Sequence, residues 1–254
     1  MSEHGAEAFG IDIGGSGIKA ALVDTSTGTL LTDRKRVPTP QPATPDAVAA
    51  VVAGVLGEAS WDGVVGATFP AVIQHGVARS AANVDKSWIG TDVDACFTNA
   101  MPARNEVFVL NDADAAGIAE ARFGAARGVR GVVILLTFGT GIGSALLIDG
   151  TLVPNTELGH LELNGHDAEK RAAASVRDEE QLSYKKWAER VNEYMNHVER
   201  LFTPDLFVVG GGVSKDADKW VPLLELRTPV RPAELLNNAG IVGAAIAAVE
   251  RRGE

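Results

Sequence analysis

The sequence predicts an α/β protein of two lobes built on related plans, and three observations carry that prediction. Apolar, strand-like runs are interspersed with helical stretches along the 254-residue chain. A strand–glycine turn–strand unit near the N-terminus, "IDIGGSGIKAALVD", returns half a chain later as "LTFGTGIGSALLID". Hydrophobic residues make up 46% and charged residues 22%, a balance that builds a packed core. The length suits one large domain or two ordinary lobes.

Taken in order, strands are expected at 9–13, 18–24 and 29–37, with turn chemistry in "DTSTGT" between the last two. Pro38, Pro40, Pro42 and Pro45 stiffen the next connection. Thr44 is placed to cap a helix with Pro45 at its first position, followed by an Ala/Val run to Leu56. "GVVGATF" (63–69) reads as a buried strand ended by Pro70. A strand at 107–110 leads into "NDADAAGIAEARFG", a helix opening at Asn111 or Asp112 and ending near Gly124. The second half restarts with strand, glycine turn and strand over 132–152. A long amphipathic helix is expected over about 178–202, with Trp187, Val191, Tyr194, Met195, Val198 and Phe202 on its core face. "DLFVVGGGVS" (205–214) is a buried strand running into three glycines, and "NNAGIVGAAIAAVERR" is a closing helix. A gapless shift of 125 positions lays Gly14 on Gly139, Ala20 on Ala145 and Asp24 on Asp149.

Composition also excludes functions. A formal net charge of −10 argues against a general nucleic-acid binder, so a polyanionic ligand needs a local positive patch. A single cysteine, Cys96, excludes an intramolecular disulfide and a multi-cysteine zinc site, and fits a reducing cytoplasm. No signal peptide and no membrane span are expected.

Three glycine clusters each follow an apolar strand: Gly14-Gly15-Ser16-Gly17, Gly139-Thr140-Gly141-Ile142-Gly143 and Gly210-Gly211-Gly212. Glycine permits positive φ and close ligand approach, and successive turn amides form an anion-binding concavity. Ser16 and Thr140 add hydroxyls and Lys19 a charge. The first cluster is neither a P-loop nor a dinucleotide fingerprint, because it lacks GxxxxGK[ST] and the third glycine, and a strand follows where a helix is required. Tight β-turns with no ligand would also explain each cluster taken singly. Asp112, at a helix start after a buried strand, suits a general base for an acceptor hydroxyl, and it equally suits an N-cap.

"FGIDIGGSGIKAALVD", "LLTFGTGIGSALLIDG", "NDADAA" and "ELGH" together resemble the ROK family of sugar kinases, repressors and related proteins, from Phe9 to about Ala248. The resemblance implies the two-lobed actin-like (ribonuclease-H-like) ATPase fold with an interlobe cleft. Its small lobe would be residues 1–110 plus about 238–254, and its large lobe 111–237. "SAANVDKSWIGTD" and the segment after "ELGH" resemble the branch that phosphorylates glucose at its 6-hydroxyl from inorganic polyphosphate, some members also accepting ATP. An ATP-dependent hexokinase for mannose, fructose or an N-acetylhexosamine is the alternative.

The resemblance also implies roles. Asp12, with Gly14, Gly15, Ser16, Gly17 and Lys19, would lie at the transferred phosphate and its Mg2+. Thr137, Gly139, Thr140 and Gly141 would hold donor phosphates, and Gly210, Gly211 and Gly212 would border the adenosine of ATP. Asp112 would be the general base. Asn83, Asn111, Glu157 and His160 would bind sugar hydroxyls. The lobes would close on the sugar about hinges near Asn111 and Asn238, and the protein would be a homodimer.

Family members often follow Glu-x-Gly-His with a cysteine-rich zinc site. Here "ELGHLELNGHDAEKRAAAS" has no cysteine, so no structural zinc is expected and His160 is left for the sugar, unless it is a satisfied core histidine. His166 reads as a surface or turn residue. Ala71 follows Pro70 where the family often has glycine, a change in the small-lobe wall of the sugar pocket. Only eight residues precede the first expected strand, too few for the repressors' helix-turn-helix. A polyphosphate track is expected at Lys170, Arg171 and Arg177. Lys186, Arg190 and His197 share a helix face, which the interleaved glutamates also suit as an ordinary solvated one.

Overall fold

The computed structural model describes residues 7–81, 84–101 and 105–253. It divides into two compact units, Met1–Ala119 with Asn237–Glu254, and Glu120–Leu236. The first unit is built on β1 (Glu7–Ile13), β2 (Ile18–Asp24), β3 (Thr29–Leu30), β4 (Lys35–Val37), helix α1 (Pro45–Ala59), β5 (Val65–Phe69), the small hairpin β6 (Ile73–Gln74) and β7 (Val77–Ala78), α2 (Val93–Ala100) and β8 (Val107–Asn111). Its sheet order is β3-β2-β1-β5-β8, with β4 also on β2. β1 and β2 are antiparallel, and β1, β5 and β8 run parallel. Thr44 caps α1 through the Ala47 amide, with Pro45 at the helix start as expected. The strand expected over 29–37 is instead broken, because Leu22 N–H donates to the Thr32 hydroxyl while the Leu31 amide bonds Leu22 O. A side chain replaces one rung, and pairing resumes at β4. Trp88, from "DKSW", fills the core against Phe69 and Phe97 and donates its indole N–H to Ala43 O.

Helix α3 (Asp112–Phe123) follows β8, and the second unit begins within it, at Glu120. That unit contains β9 (Val132–Phe138), β10 (Ile142–Ile148), β11 (Thr151–Val153), the hairpin β12 (Glu162–Leu163) and β13 (His166–Asp167), short helices α4 (Glu169–Ala172) and α5 (Ala174–Glu179), α6 (Tyr184–Phe202), β14 (Leu206–Gly210) and β15 (Val230–Pro232). The sheet order is β11-β10-β9-β14-β15, the same plan as the first unit. The helix expected from about 178 is split: Gln181 takes a positive φ of 51° and Ser183 caps a new helix at Lys186 N. Its forecast core face holds, and Trp187 meets Phe138 and Trp220 edge-on at 5.8 and 5.0 Å.

The repeat is visible in burial as well as topology. β1 and β9 share one inside–outside pattern, and so do β2 and β10 up to their last residue. The gapless register needs correction, however. Ile13 pairs with Ile18 across a four-residue turn, whereas Phe138 pairs with Ile142 across a three-residue turn. Ile18 therefore corresponds to Ile142, and the second strands align one position away from the gapless shift. In a strand that single position exchanges the two faces: it matches Leu22 to half-buried Leu146 rather than to buried Leu147.

The C-terminal helix α7 (Ala239–Arg252) lies on the first unit's sheet. It comes close because Gly10 and Gly66 have no Cβ: one added at either would fall on the carbonyls of Ile241 or Ala244. Its first turn reaches Asp12, where a Cβ on Gly240 would stand 3.0 Å from the carboxylate. No helix among the described residues is long and apolar enough to cross a membrane.

Candidate active site

In the first unit, the 14–17 turn joins β1 to β2 at the end of the sheet. Gly14 N–H bonds Gly17 O, and the Thr39 hydroxyl donates to Gly14 O. Among the described residues the amides of Gly15 and Ser16 donate to nothing, and both residues are exposed. Pinned carbonyls and outward amides make an anion-ready turn. Asp12 precedes it, held on both oxygens: Lys19 Nζ lies 2.8 Å from Oδ2, and the Thr68 hydroxyl donates to Oδ1 at 3.0 Å. Thr68 in turn accepts Ile13 N–H. Asp12 also faces the start of α7, where the helix dipole favours anionic charge.

The choice between base and cap at Asp112 is resolved in part by its neighbour. Asn111 Oδ1 accepts the amides of Ala113 and Asp114, so Asn111 is the N-cap, and its Nδ2 donates to Ala71 O. Asp112 is the first residue of α3 and is exposed, with Oδ1 2.9 Å from Ala113 N. Asn83 lies outside the described residues.

The 139–141 turn of the second unit repeats the first by different means. Gly139 N–H bonds Gly141 O, and Ser175 holds both neighbouring carbonyls, its amide on Gly139 O and its hydroxyl on Thr140 O. Among the described residues the amides of Thr140 and Gly141 donate to nothing. Glu169 accepts Ile142 N–H and lies where a Cβ on Gly141 would sit. Thr137 pairs with Gly210 across the β9–β14 ladder, and Gly211, at φ 83°, backs onto the Phe138 backbone. The Ser214 hydroxyl donates to Gly211 O.

Glu157 and His160 stand at either end of one turn of 3-10 helix. His160 is 52% exposed, which rules out a core histidine, and three carboxylates surround it: Glu157 at 3.8 Å, Glu169 at 3.7 Å and Asp167 at 4.0 Å. The β12–β13 hairpin supplies Asp167, turning through Asn164 and Gly165, both at positive φ. Exposed His166 lies on the same hairpin. Burial pushes the Glu157 carboxyl above its ordinary range; His160 opposes the shift and Glu169 adds to it.

The expected basic track is already partly neutralised. Lys170 bonds Asp167 at 3.0 Å, and Arg177 bonds Asp178 while stacking 4.2 Å from the Tyr184 ring. Arg171 is exposed. Arg190 pairs with Glu180 as a residue of a solvated face does. Reading the sequence missed Thr39, Thr68, Ser175, Asp167, Glu169 and Gly240. None stands in a recognisable motif; Thr39, Thr68, Ser175 and Gly240 act through partners distant in the chain, while Asp167 meets His160 only because the hairpin folds back.

With this geometry established, similarity to known proteins becomes interpretable. The ROK family pattern matches residues 8–173. The chain is 57% identical over 241 residues to a polyphosphate glucokinase of Mycobacterium tuberculosis, covering 95% of this chain and 91% of that one. It is 56% identical to the inorganic polyphosphate/ATP-glucomannokinase of Arthrobacter sp. strain KM, whose crystal structure superposes with a TM-score of 0.92 over 97% of this chain and 99% of that one. A ROK family glucokinase from Streptomyces griseus, crystallised with glucose and AMPPNP, shares the fold at a TM-score of 0.82 and 24% identity, over 96% of this chain and 99% of that one. The family pattern spans both glycine turns, the Asn111–Asp112 helix start and the Glu157–His160 segment, and the chain belongs to the ROK family.

Proposed function

We propose that the protein phosphorylates glucose at the 6-hydroxyl, with inorganic polyphosphate and also ATP as phosphoryl donor. The observation that carries this is the pair of glycine turns, each with pinned carbonyls and outward amides, in a chain so similar over nearly its full length to a polyphosphate glucokinase. Asn111, Glu157 and His160 hold the sugar hydroxyls, with Asn83. Asp112 takes the proton of the 6-hydroxyl as that oxygen bonds to phosphorus. The bond from phosphorus to the donor chain breaks, leaving polyphosphate one unit shorter, or ADP. The transition state is loose, so positioning and charge stabilisation by turn amides and Lys19 contribute most.

The oxygen chemistry of Asp12 fits Mg2+. Lys19 and Thr68 already occupy its carboxylate, so the ion would be held through water and donor phosphates, as Mg2+ usually is. When bound, Mg2+ neutralises charge on the donor oxygens. Gly210, Gly211 and Gly212 border the adenosine when ATP is used. Lys170, Arg171 and Arg177 contact the polyphosphate tail, Lys170 and Arg177 exchanging the carboxylates of Asp167 and Asp178 for phosphate. A cytoplasmic homodimer belongs to the same proposal.

The test is a donor comparison: purified protein, glucose and Mg2+ with polyphosphate or ATP supplied separately. Glucose 6-phosphate from polyphosphate is expected; product from ATP alone would indicate the ATP-dependent hexokinase instead. A pH series gives a second check. Ionised Glu157 accepts hydrogen bonds from sugar hydroxyls on both carboxylate oxygens, protonation turns one of them into a donor, and its pKa lies above the ordinary 4.5. The glucose KM is therefore expected to rise on acidification at a pH where an ordinary glutamate is still ionised. Stability runs the other way: the contribution of protonated Glu157 is complete below 4.5 and lost as pH rises through its raised value. Glu157→Gln should weaken glucose binding at neutral pH while raising Tm. A glucose KM flat through this window would remove Glu157 from the sugar site.

A further inference from the structure

The first turn carries a cation that the reaction as described leaves unused. Arg36, on β4, lies across from Lys19; Lys19 lies across from Asp12, and Asp12 from Thr68. Cross-strand partners share a sheet face, so these four side chains form one row beside the 14–17 turn. The contact with the turn is direct: a Cβ on Gly17 would stand 3.0 Å from both Nε and Nη2 of Arg36. Glycine at 17 thus leaves the guanidinium room against the turn.

The basic run Arg34-Lys35-Arg36 divides its work. Arg34 bonds Asn238 Oδ1 at 3.0 Å and Asn237 O, fastening the approach to α7. Lys35 pairs with Glu58. Arg36 is exposed and, among the described residues, makes no hydrogen bond or ion pair. Lys19 is paired with Asp12 within the row, so the row as a whole carries one net positive charge beside the outward amides of Gly15 and Ser16, and Arg36 is its unpaired cation among the described residues. In a chain of net charge −10, such a spot is where a polyanion is drawn.

We propose that Arg36 binds non-bridging oxygens of the phosphoryl group at the 14–17 turn, as a donor-binding residue for the reaction proposed above, on which this inference rests. A guanidinium offers a planar fork of donors matched to two phosphoryl oxygens. The group recognised is the phosphoryl unit common to polyphosphate and ATP. Losing Arg36 therefore weakens use of both donors, whereas a track for the polyphosphate tail affects polyphosphate alone.

The experiment compares wild type with Arg36→Gln and Arg36→Lys in steady-state kinetics with each donor. Glucose affinity and Tm are measured alongside by calorimetry. Arg36→Gln is expected to lower kcat/KM for both donors by about 10- to 100-fold, with glucose affinity and Tm unchanged. Arg36→Lys should recover part of the loss, since charge is kept and the fork is not. Unchanged kinetics with both donors, a loss confined to polyphosphate, or an equal loss of glucose affinity would each overturn the proposal. Should wild type make no glucose 6-phosphate from either donor, the reaction fails first. Titration with tripolyphosphate then decides Arg36 separately: weaker binding by Arg36→Gln supports its role, and equal binding removes it.

Discussion

Replacing Asp112 with asparagine is expected to cut kcat by about 10^2- to 10^4-fold with either donor while glucose affinity stays near that of wild type. The amide matches the carboxylate in size and still donates and accepts hydrogen bonds, but it cannot take the proton of the 6-hydroxyl. The local structure makes the experiment clean. Asn111 accepts both the Ala113 and the Asp114 amides that open α3, and Asp112 shares only the first, which an asparagine oxygen can still accept, so the cap remains in the variant. Were Asp112 important only for the helix start, where a negative charge suits the dipole, the substitution would lower Tm slightly and leave kcat near normal. A coupled assay for glucose 6-phosphate, with calorimetric titration of glucose and a thermal melt, separates the outcomes. Normal turnover would remove Asp112 from the role of base.

That distinction shows where sequence reading reached its limit. "NDAD" announces a helix start, but two adjacent cap-competent residues leave the assignment of the cap open, and the hydrogen bonds show that Asn111 holds two of the first amides while Asp112 shares one of them. The two glycine turns were legible because each is a local event: a strand, a short run free of large side chains, and a return strand. Their depth in the chain was legible too, through the repeat. The one-residue difference in turn length was not, because apolar strand residues tolerate a gapless overlay until their pairing is known. Groups that complete the turns arrive from elsewhere. Thr68 reaches Asp12 from a strand 56 positions on, and Ser175 reaches Thr140 from 35 positions on. In a linear reading Thr68 is one more β-branched strand residue and Ser175 one more small residue among alanines. His160 was foreseen as free of a cysteine cluster, but its three carboxylate neighbours depend on how a two-strand hairpin folds back.

The largest effect on stability is expected from Gly66→Ala. By strand propensity alone the change is an improvement, since glycine in a strand costs entropy and packs nothing. The structure reverses the sign. A Cβ at Gly66 would fall on the carbonyl of Ala244, and one at Gly10 on that of Ile241, both backbone atoms of α7. Backbone cannot rotate aside as a side chain can, so the helix must lift from the sheet along its buried face, which includes Ile241, Val242, Ala244 and Ala245. Overpacking costs about 1–3 kcal/mol where side chains yield, and about 3 kcal/mol or more is expected here. Gly54 provides the control. It lies in α1 with nothing within 4 Å of an added Cβ, so Gly54→Ala should stabilise by about 0.5–1 kcal/mol. Denaturant midpoints should therefore move in opposite directions for the same chemical change. The damage in Gly66→Ala should also reach the 14–17 turn, because lifting α7 draws Gly240 away from Asp12. Protein that survives the substitution should show a lowered kcat as well as a lowered midpoint. A Gly66→Ala variant as stable as wild type would mean that α7 does not press on the sheet through these glycines.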